Sequence, residues 1–153
     1  MDFSTLFRVK ENLNLDKRTL TILRYIAIFG QFFAINIVYF YLGLTFPIEL
    51  SYLVIFIGLL TNLYLQFGIR INQLKDFYAA IFLGYDLIQL SLLLYLTGGI
   101  FNPFCLLLII PAIVSSTFLS MGTTIILGII TSLLLLLISF FHLPLPGEDM
   151  NLL

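Results

Sequence analysis

Two polar side chains interrupt an apolar stretch of this sequence at a place where they could do chemistry. Asp86 stands about halfway along the apolar run 77–97, and Gln89 follows three residues later, so that a helix puts both on one face. A charged residue at the bilayer centre costs roughly 2.5–3.5 kcal/mol to insert, and such residues therefore suggest function. The shared face is expected to point into a helical bundle, towards amides of the two preceding runs: Gln31, Asn36 and Asn62. A structural hydrogen-bond cluster and a group that couples a ligand or proton to helix packing both fit.

A second candidate site is the segment 98–104, GGIFNPF, which breaks the helical pattern. Its glycines tolerate the left-handed conformation at a helix end, while Asn102 and Pro103 suit the cap and first turn of another helix. A capped turn needs no more than this. At the membrane face, however, such a turn also presents backbone N–H groups, an amide and two Phe rings. A quinone, with a flat apolar ring and two carbonyl acceptors, would suit these groups, and both interpretations stay open.

Metal and disulfide chemistry find little support in the remaining residues. Cys105 is the one cysteine, so no disulfide forms within the chain, and no Cys/His group has the spacing of metal ligands. The single histidine, His142, has no polar partner near it in sequence. No catalytic residue and no metal site are predicted.

The composition determines the surroundings in which these residues must be positioned. Of the 153 residues, 61% are hydrophobic and 10% charged, against about 25% charged in soluble domains, and the mean hydropathy is +1.12. Apolar runs in a bilayer satisfy their backbone groups as helices, and about 20 residues cross it. The predicted fold is an all-α integral membrane protein, a bundle of about five transmembrane helices. The predicted spans are about 22–44, 50–69, 77–97, 104–120 (barely long enough) and 123–142.

The charges predict the orientation of this bundle. Five of the seven Lys and Arg residues precede Tyr25, and the loop between the second and third runs carries Arg70 and Lys75. The other side receives loops without positive charge. By the positive-inside rule, residues 1–21 form a cytoplasmic tail, and 143–153 form an external loop. Arg24, at the start of the first run, is expected to snorkel to the cytoplasmic interface as an anchor. Binding to nucleic acid is not expected.

The string LLYLTGGIFNPFCLLLIIPAIVSST resembles the membrane sensor region of the RegB/PrrB/ActS family of redox-sensing histidine kinases. The family's heptapeptide GGxxNPF is matched by Gly98, Gly99, Asn102, Pro103 and Phe104. The similarity extends to LRYIAIFGQ in the first run, YDLIQLSLLLYLTGG in the third and HLPLP after the fifth. The resemblance implies a six-span region in the bacterial inner membrane, of which 143–153 would lead to a sixth span absent from this chain.

The resemblance also implies a function, in which the region responds to the redox state of the ubiquinone pool and controls a dimeric cytoplasmic kinase core. That core, absent here, would phosphorylate a response regulator. The implied quinone-binding residues are those of the heptapeptide loop: Gly98, Gly99, Phe101, Asn102, Pro103 and Phe104. Asp86, Gln89 and Gln31 would couple the ligand to helix packing.

The sequence departs from the family at two positions. Tyr25 replaces the usual Trp, and Cys105 stands where Ala is more common. Cys105 is expected to be a small packing residue rather than a redox thiol, because the sensing cysteine of the family lies in the kinase part. His142 lies at the predicted outer face and cannot be the phosphoacceptor. Two other functions remain open: a small transporter or channel subunit with Asp86 in a polar path, and a structural membrane subunit.

Overall fold

The computed structural model describes residues 15–41, 43 and 45–143, and they form five α-helices. The helices are α1 (Lys17–Asn36), α2 (Ile48–Leu63), α3 (Asp76–Leu96), α4 (Ile109–Phe118) and α5 (Met121–Phe140). Single π-helical turns, Ile37–Tyr41 and Tyr64–Gly68, lengthen α1 and α2. Two 3₁₀ segments, Gly99–Phe101 and Pro103–Leu108, connect α3 to α4. Most of the predicted tail and external loop lies outside the described residues.

Four of these helical segments are long and apolar enough to cross a membrane: Lys17–Tyr41, Ile48–Gly68, Asp76–Leu96 and Met121–Phe140. Their surfaces carry many exposed Phe, Leu and Ile side chains, as expected where lipid is the surrounding medium. The chain is therefore a multi-pass membrane protein whose described residues are mainly helical, as the composition predicted. The first helix begins at Lys17 rather than near residue 22, so part of the predicted tail is helical.

The fourth apolar run is shorter than the other four. It spans Pro103–Phe118 and starts with six residues of 3₁₀ helix after Asn102. A 3₁₀ helix rises about 2.0 Å per residue and an α-helix about 1.5 Å, so this segment reaches about 27 Å, slightly less than a ~30 Å hydrocarbon core. The extended 3₁₀ geometry thus compensates for much of the missing length.

A two-stranded ribbon closes the end of the bundle that carries the positive charges. The strands β1 (Leu15–Asp16) and β2 (Gln73–Leu74) pair antiparallel, with Leu15 opposite Leu74. The Lys17 ammonium donates to the carbonyls of Gln66 and Ile69, 3.2 and 2.7 Å away. The N-terminal segment and the loop after α2 therefore lie at the same end of the molecule, as the charge pattern requires. Arg70 and Lys75 are exposed there.

Helix α3 is the centre of the bundle. Half of its most apolar stretch is buried, against at most 28% for the other spanning segments. It packs against α2, α4 and α5, while α1 packs along α2. A large apolar cluster surrounds α3, with Leu83, Leu87 and Leu94 among its members, and Cys105 packs against it. Cys105 is thus a packing residue, as expected.

Candidate functional site

Helix α1 is joined to α3 by two polar bridges rather than by close backbone packing. The Arg24 Nε donates to both carboxylate oxygens of Asp86, at 2.9 and 3.1 Å, and its Nη2 donates to Thr61 Oγ1 at 2.9 Å. One helical turn along α3, Gln89 Nε2 donates to Gln31 Oε1 at 3.0 Å. Asp86 and Gln89 therefore face the same neighbour, as their spacing predicted.

The position of Arg24 corrects one expectation. Its side chain is 3% exposed and lies inside the bundle, with the rings of Phe82 and Tyr85 at 5.2 and 5.6 Å from the guanidinium carbon. It does not snorkel to the interface, because Asp86 compensates its charge inside the bundle. The sequence offered a signal for this pair, since an apolar run with one central acid needs a cation nearby.

The amides predicted to surround Asp86 have other partners. Asn36 accepts a hydrogen bond from the Tyr52 hydroxyl, and Asn62 donates to the backbone carbonyl of Thr21. Of the three amides Gln31, Asn36 and Asn62, only Gln31 takes part in the polar bridges between α1 and α3. Gly58 of α2 makes room for this bridge, because a Cβ there would lie 2.4 Å from the Gln89 amide. A methyl group at this position would displace Gln89.

The loop 98–104 depends on both of its glycines. Gly98 and Gly99 have φ values of 103° and 60°, which L side chains rarely adopt. At Gly99 a Cβ would also lie 2.4 Å from the Cβ of His142, which packs on the loop from the segment after α5. The His142 ring stacks edge-on against Phe101 at 5.5 Å, and the Leu143 amide donates to the Tyr95 carbonyl at 3.0 Å.

Asn102 stabilises the shape of the loop through hydrogen bonds from both ends of its side-chain amide. Its Nδ2 donates to the Thr97 carbonyl and to Thr97 Oγ1, at 3.1 and 2.8 Å, and its Oδ1 accepts from the Phe104 amide at 2.9 Å. It is the predicted cap of the helix that starts with Pro103. Because both amide hydrogens are engaged within the chain, Asn102 has no free side-chain donor for a ligand.

Two apolar cavities lie in one groove beside α1 and α3. The outer cavity, about 150 Å³, is walled by Asn102 and Phe104 at the loop and reaches Gln31. The inner cavity, about 270 Å³, extends from Gln31 to the Arg24–Asp86 pair. Both share four residues: Gly30, Gln31, Leu90 and Leu107. The structure thus brings the loop and Asp86 to opposite ends of the same groove, with Gln31 between them, whereas Gln89 lines neither cavity.

Not every residue of the loop faces this groove. Phe101 is 61% exposed and lines neither cavity, and Gly98, Gly99 and Pro103 line neither cavity as well. These four residues contribute to the shape of the loop.

Asp76 is a polar residue that the sequence analysis did not single out. It begins α3 and accepts hydrogen bonds from Ser120 N, Ser120 Oγ and Thr123 Oγ1. An acid at a helix start, opposite a loop rich in Ser and Thr, was the available signal.

Comparison with known proteins finds a relative that matches most of this chain. The chain is 42% identical over 133 residues to the sensor histidine kinase RegB of Cereibacter sphaeroides. The match covers 86% of this chain and 29% of the relative, so the chain corresponds to less than a third of that kinase. No family model and no solved structure matches the chain. The resemblance to the RegB/PrrB/ActS family of sensor histidine kinases, indicated by the heptapeptide, is confirmed over most of this chain.

Proposed function

We propose that this chain is the membrane sensor module of a two-component histidine kinase and that it responds to the redox state of the quinone pool. The similarity to a sensor histidine kinase supports the first part. The groove between α1 and α3 supports the second, because it is apolar and has a few polar groups at defined places, as sites for lipid-soluble ligands do.

The observation that carries the proposal is the position of the heptapeptide at one end of this groove. Phe104 and Asn102 line the outer cavity together with α1 and α3. A quinone ring placed there would contact the Phe104 ring and the aliphatic side chains of the two helices. Its isoprenoid tail would leave towards lipid along the exposed apolar surface.

A ligand in this position would change helix packing only if it binds one arrangement better than another. The groove suits this requirement, because the two polar bridges between its walls, Arg24–Asp86 and Gln31–Gln89, lie where a ligand could disturb them. Apolar packing of Ile28 and Ile35 in one cluster with Leu93 also joins the two walls. In a full-length kinase the change would pass to a dimeric cytoplasmic core and then to a response regulator. Ubiquinone, the homodimer and the response regulator are parts of this proposal.

The test is binding of a short-chain ubiquinone to the purified chain in nanodiscs, by titration calorimetry. Phe104→Ala should bind about tenfold more weakly, because the variant loses ring stacking and apolar contact. Asn102→Ala should also bind more weakly, through a distorted loop. Phe140→Ala is the matched control, because Phe140 is 78% exposed and lines neither cavity.

Two outcomes would contradict the proposal. If the wild-type chain binds no ubiquinone, the quinone function is wrong. If wild type, Phe104→Ala and Asn102→Ala bind equally, the heptapeptide is not part of the site.

A further inference from the structure

The two ends of the groove differ in what they offer a polar ligand group. At the outer end, the backbone N–H groups of the two loop residues that line the cavity are engaged: that of Asn102 donates to the Gly99 carbonyl, and that of Phe104 donates to the Asn102 side chain. The Asn102 amide hydrogens are also used. The outer end therefore provides an apolar cavity with the Phe104 ring in its wall, but few free donors for a carbonyl oxygen.

Donors without a partner among the described residues occur instead at Gln31, where the two cavities meet, and at Arg24 in the inner cavity. Gln31 lines both cavities and uses its Oε1 to accept from Gln89, while its Nε2 makes no hydrogen bond within the described part of the chain. Arg24 lines the inner cavity, is only 3% exposed, and its Nη1 has no partner among the residues that the structure describes. A buried guanidinium N–H without a partner is costly, so this arrangement favours an added acceptor.

We infer that the polar head of the ligand binds in the inner cavity, where Gln31 Nε2 donates to a carbonyl oxygen beside the Arg24–Asp86 pair. The inference rests on the proposed quinone function and assigns different roles to the two ends of the groove. The heptapeptide shapes the outer cavity and contacts the apolar part of the ligand. Gln31 and the Arg24–Asp86 pair, which lie between the helices of the bundle, recognise its oxygen atoms.

The charges of the inner cavity select a neutral ligand. Asp86 lies in the same wall as Arg24, and its side chain is 24% exposed, so the pair presents no net charge. A phosphate or carboxylate ligand would meet the Asp86 carboxylate as well as Arg24. The remaining lining residues are almost all aliphatic, such as Leu83, Ile110 and Val114. A neutral ring with carbonyl or hydroxyl groups satisfies both conditions.

The same pair connects the ligand to the packing of three helices. Arg24 belongs to α1 and holds Thr61 of α2 and Asp86 of α3. Its Nη1 is enclosed, so a ligand oxygen reaches it only if the guanidinium shifts relative to these two partners. A quinone carbonyl only accepts hydrogen bonds, whereas a quinol hydroxyl also donates, and Asp86 is an available acceptor. The two redox forms therefore favour different arrangements of the pair.

The first experiment compares Gln31→Leu with Gln89→Leu, using short-chain ubiquinone and the purified chain in nanodiscs. Both substitutions break the same Gln31–Gln89 hydrogen bond, but only the first removes the Nε2 donor from the cavity wall. Gln31→Leu should weaken binding about tenfold, and Gln89→Leu should bind as wild type does. Equal weakening in both variants would overturn the donor role of Gln31.

The second experiment removes the ion pair without leaving a lone buried charge. Arg24→Gln combined with Asp86→Asn should weaken ubiquinone binding about tenfold. The matched control is Arg18→Gln combined with Glu49→Gln, which also removes one cation and one anion, both exposed and outside the cavities. Thermal unfolding of every variant separates loss of binding from loss of folding.

The results distinguish this inference from the proposed function. Absence of ubiquinone binding by wild type overturns both. Weak binding by Phe104→Ala, with wild-type affinity in Gln31→Leu and in the Arg24/Asp86 double variant, leaves the proposed function intact and overturns the inner site. Weak binding by Phe104→Ala, Gln31→Leu and the Arg24/Asp86 double variant supports the inner site, provided that Gln89→Leu and the Arg18/Glu49 double variant bind as wild type does.

Discussion

At the scale of single residues, Gly99 has the strictest requirement in the described part of the molecule. Its φ of 60° disfavours any side chain, and His142 fills the space that a Cβ would need. These two constraints have different origins, one in the backbone and one in tertiary packing. Together they connect the loop 98–104 to the segment that follows α5, so a disturbance of either one reaches the other.

Gly99→Ala should therefore lower the stability of the protein. The left-handed backbone alone costs about 1–2 kcal/mol with a side chain, and displacement of His142 adds to this. The midpoint of thermal unfolding in detergent is the measurement. Gly128→Ala is the control: Gly128 lies within α5, a methyl group added to it would meet no atom within 4 Å, and Ala favours a helix by about 1 kcal/mol. A Gly99→Ala variant as stable as wild type would contradict the strained loop.

At the scale of helices and loops, polar contacts decide how the ends of the elements meet. The turn between α4 and α5 is held against the start of α3 by one carboxylate, that of Asp76. Ser120 caps α5 by accepting from the Thr123 amide. Asp76 thus connects the start of α3 to the turn before α5 and to α5 itself, while the Arg24–Asp86 pair connects three helices within the bundle.

Asp76→Ala should loosen this turn more than it destabilises the whole bundle. The variant leaves the Ser120 amide and two hydroxyl groups without their acceptor, and each lost hydrogen bond contributes about 0.5–1.5 kcal/mol. Hydrogen exchange of the 119–124 amides should accelerate, with smaller changes in α1 and α2. Glu49→Ala provides the comparison, since Glu49 also lies in the first turn of a helix but is exposed. Unchanged exchange in the turn would show that Asp76 does not hold it.

At the scale of the whole molecule, the charge pattern predicts that the N-terminal segment and the loop between α2 and α3 lie at one end, and the ribbon joins these two segments. β1 and β2 bring the N-terminal segment to the loop that carries Arg70 and Lys75. The heptapeptide lies at the other end of α3. The positive-inside rule predicts that the charged end faces the cytoplasm and that the heptapeptide faces the outer side.

Cysteine labelling of intact cells tests this orientation. In a Cys105→Ser background, a cysteine introduced by Phe101→Cys should react with a membrane-impermeant maleimide added outside. Asn72→Cys should react only after the cells are opened. Both side chains are exposed in the bundle, so they differ only in the side of the membrane they face. The reverse pattern would mean that the predicted orientation is wrong.

The sequence determined the surroundings of this protein, its helical class and the residues of interest. Low charge and long apolar runs leave helices as the structure that satisfies the backbone in lipid. The shared face of Asp86 and Gln89 followed from helical spacing, and the capped turn at Asn102 and Pro103 followed from their conformational preferences. These are local properties, and local sequence is sufficient to predict them.

Which partners these residues have depends on how the helices pack together. Asp86 pairs with Arg24, which is 62 positions away, and Gln31, not Asn36 or Asn62, meets Gln89. The burial of Arg24 and the groove between α1 and α3 depend on how the helices pack around α3. Helical spacing gives the direction of a side chain on its own helix, but the neighbour in that direction is set by the packing of the whole bundle.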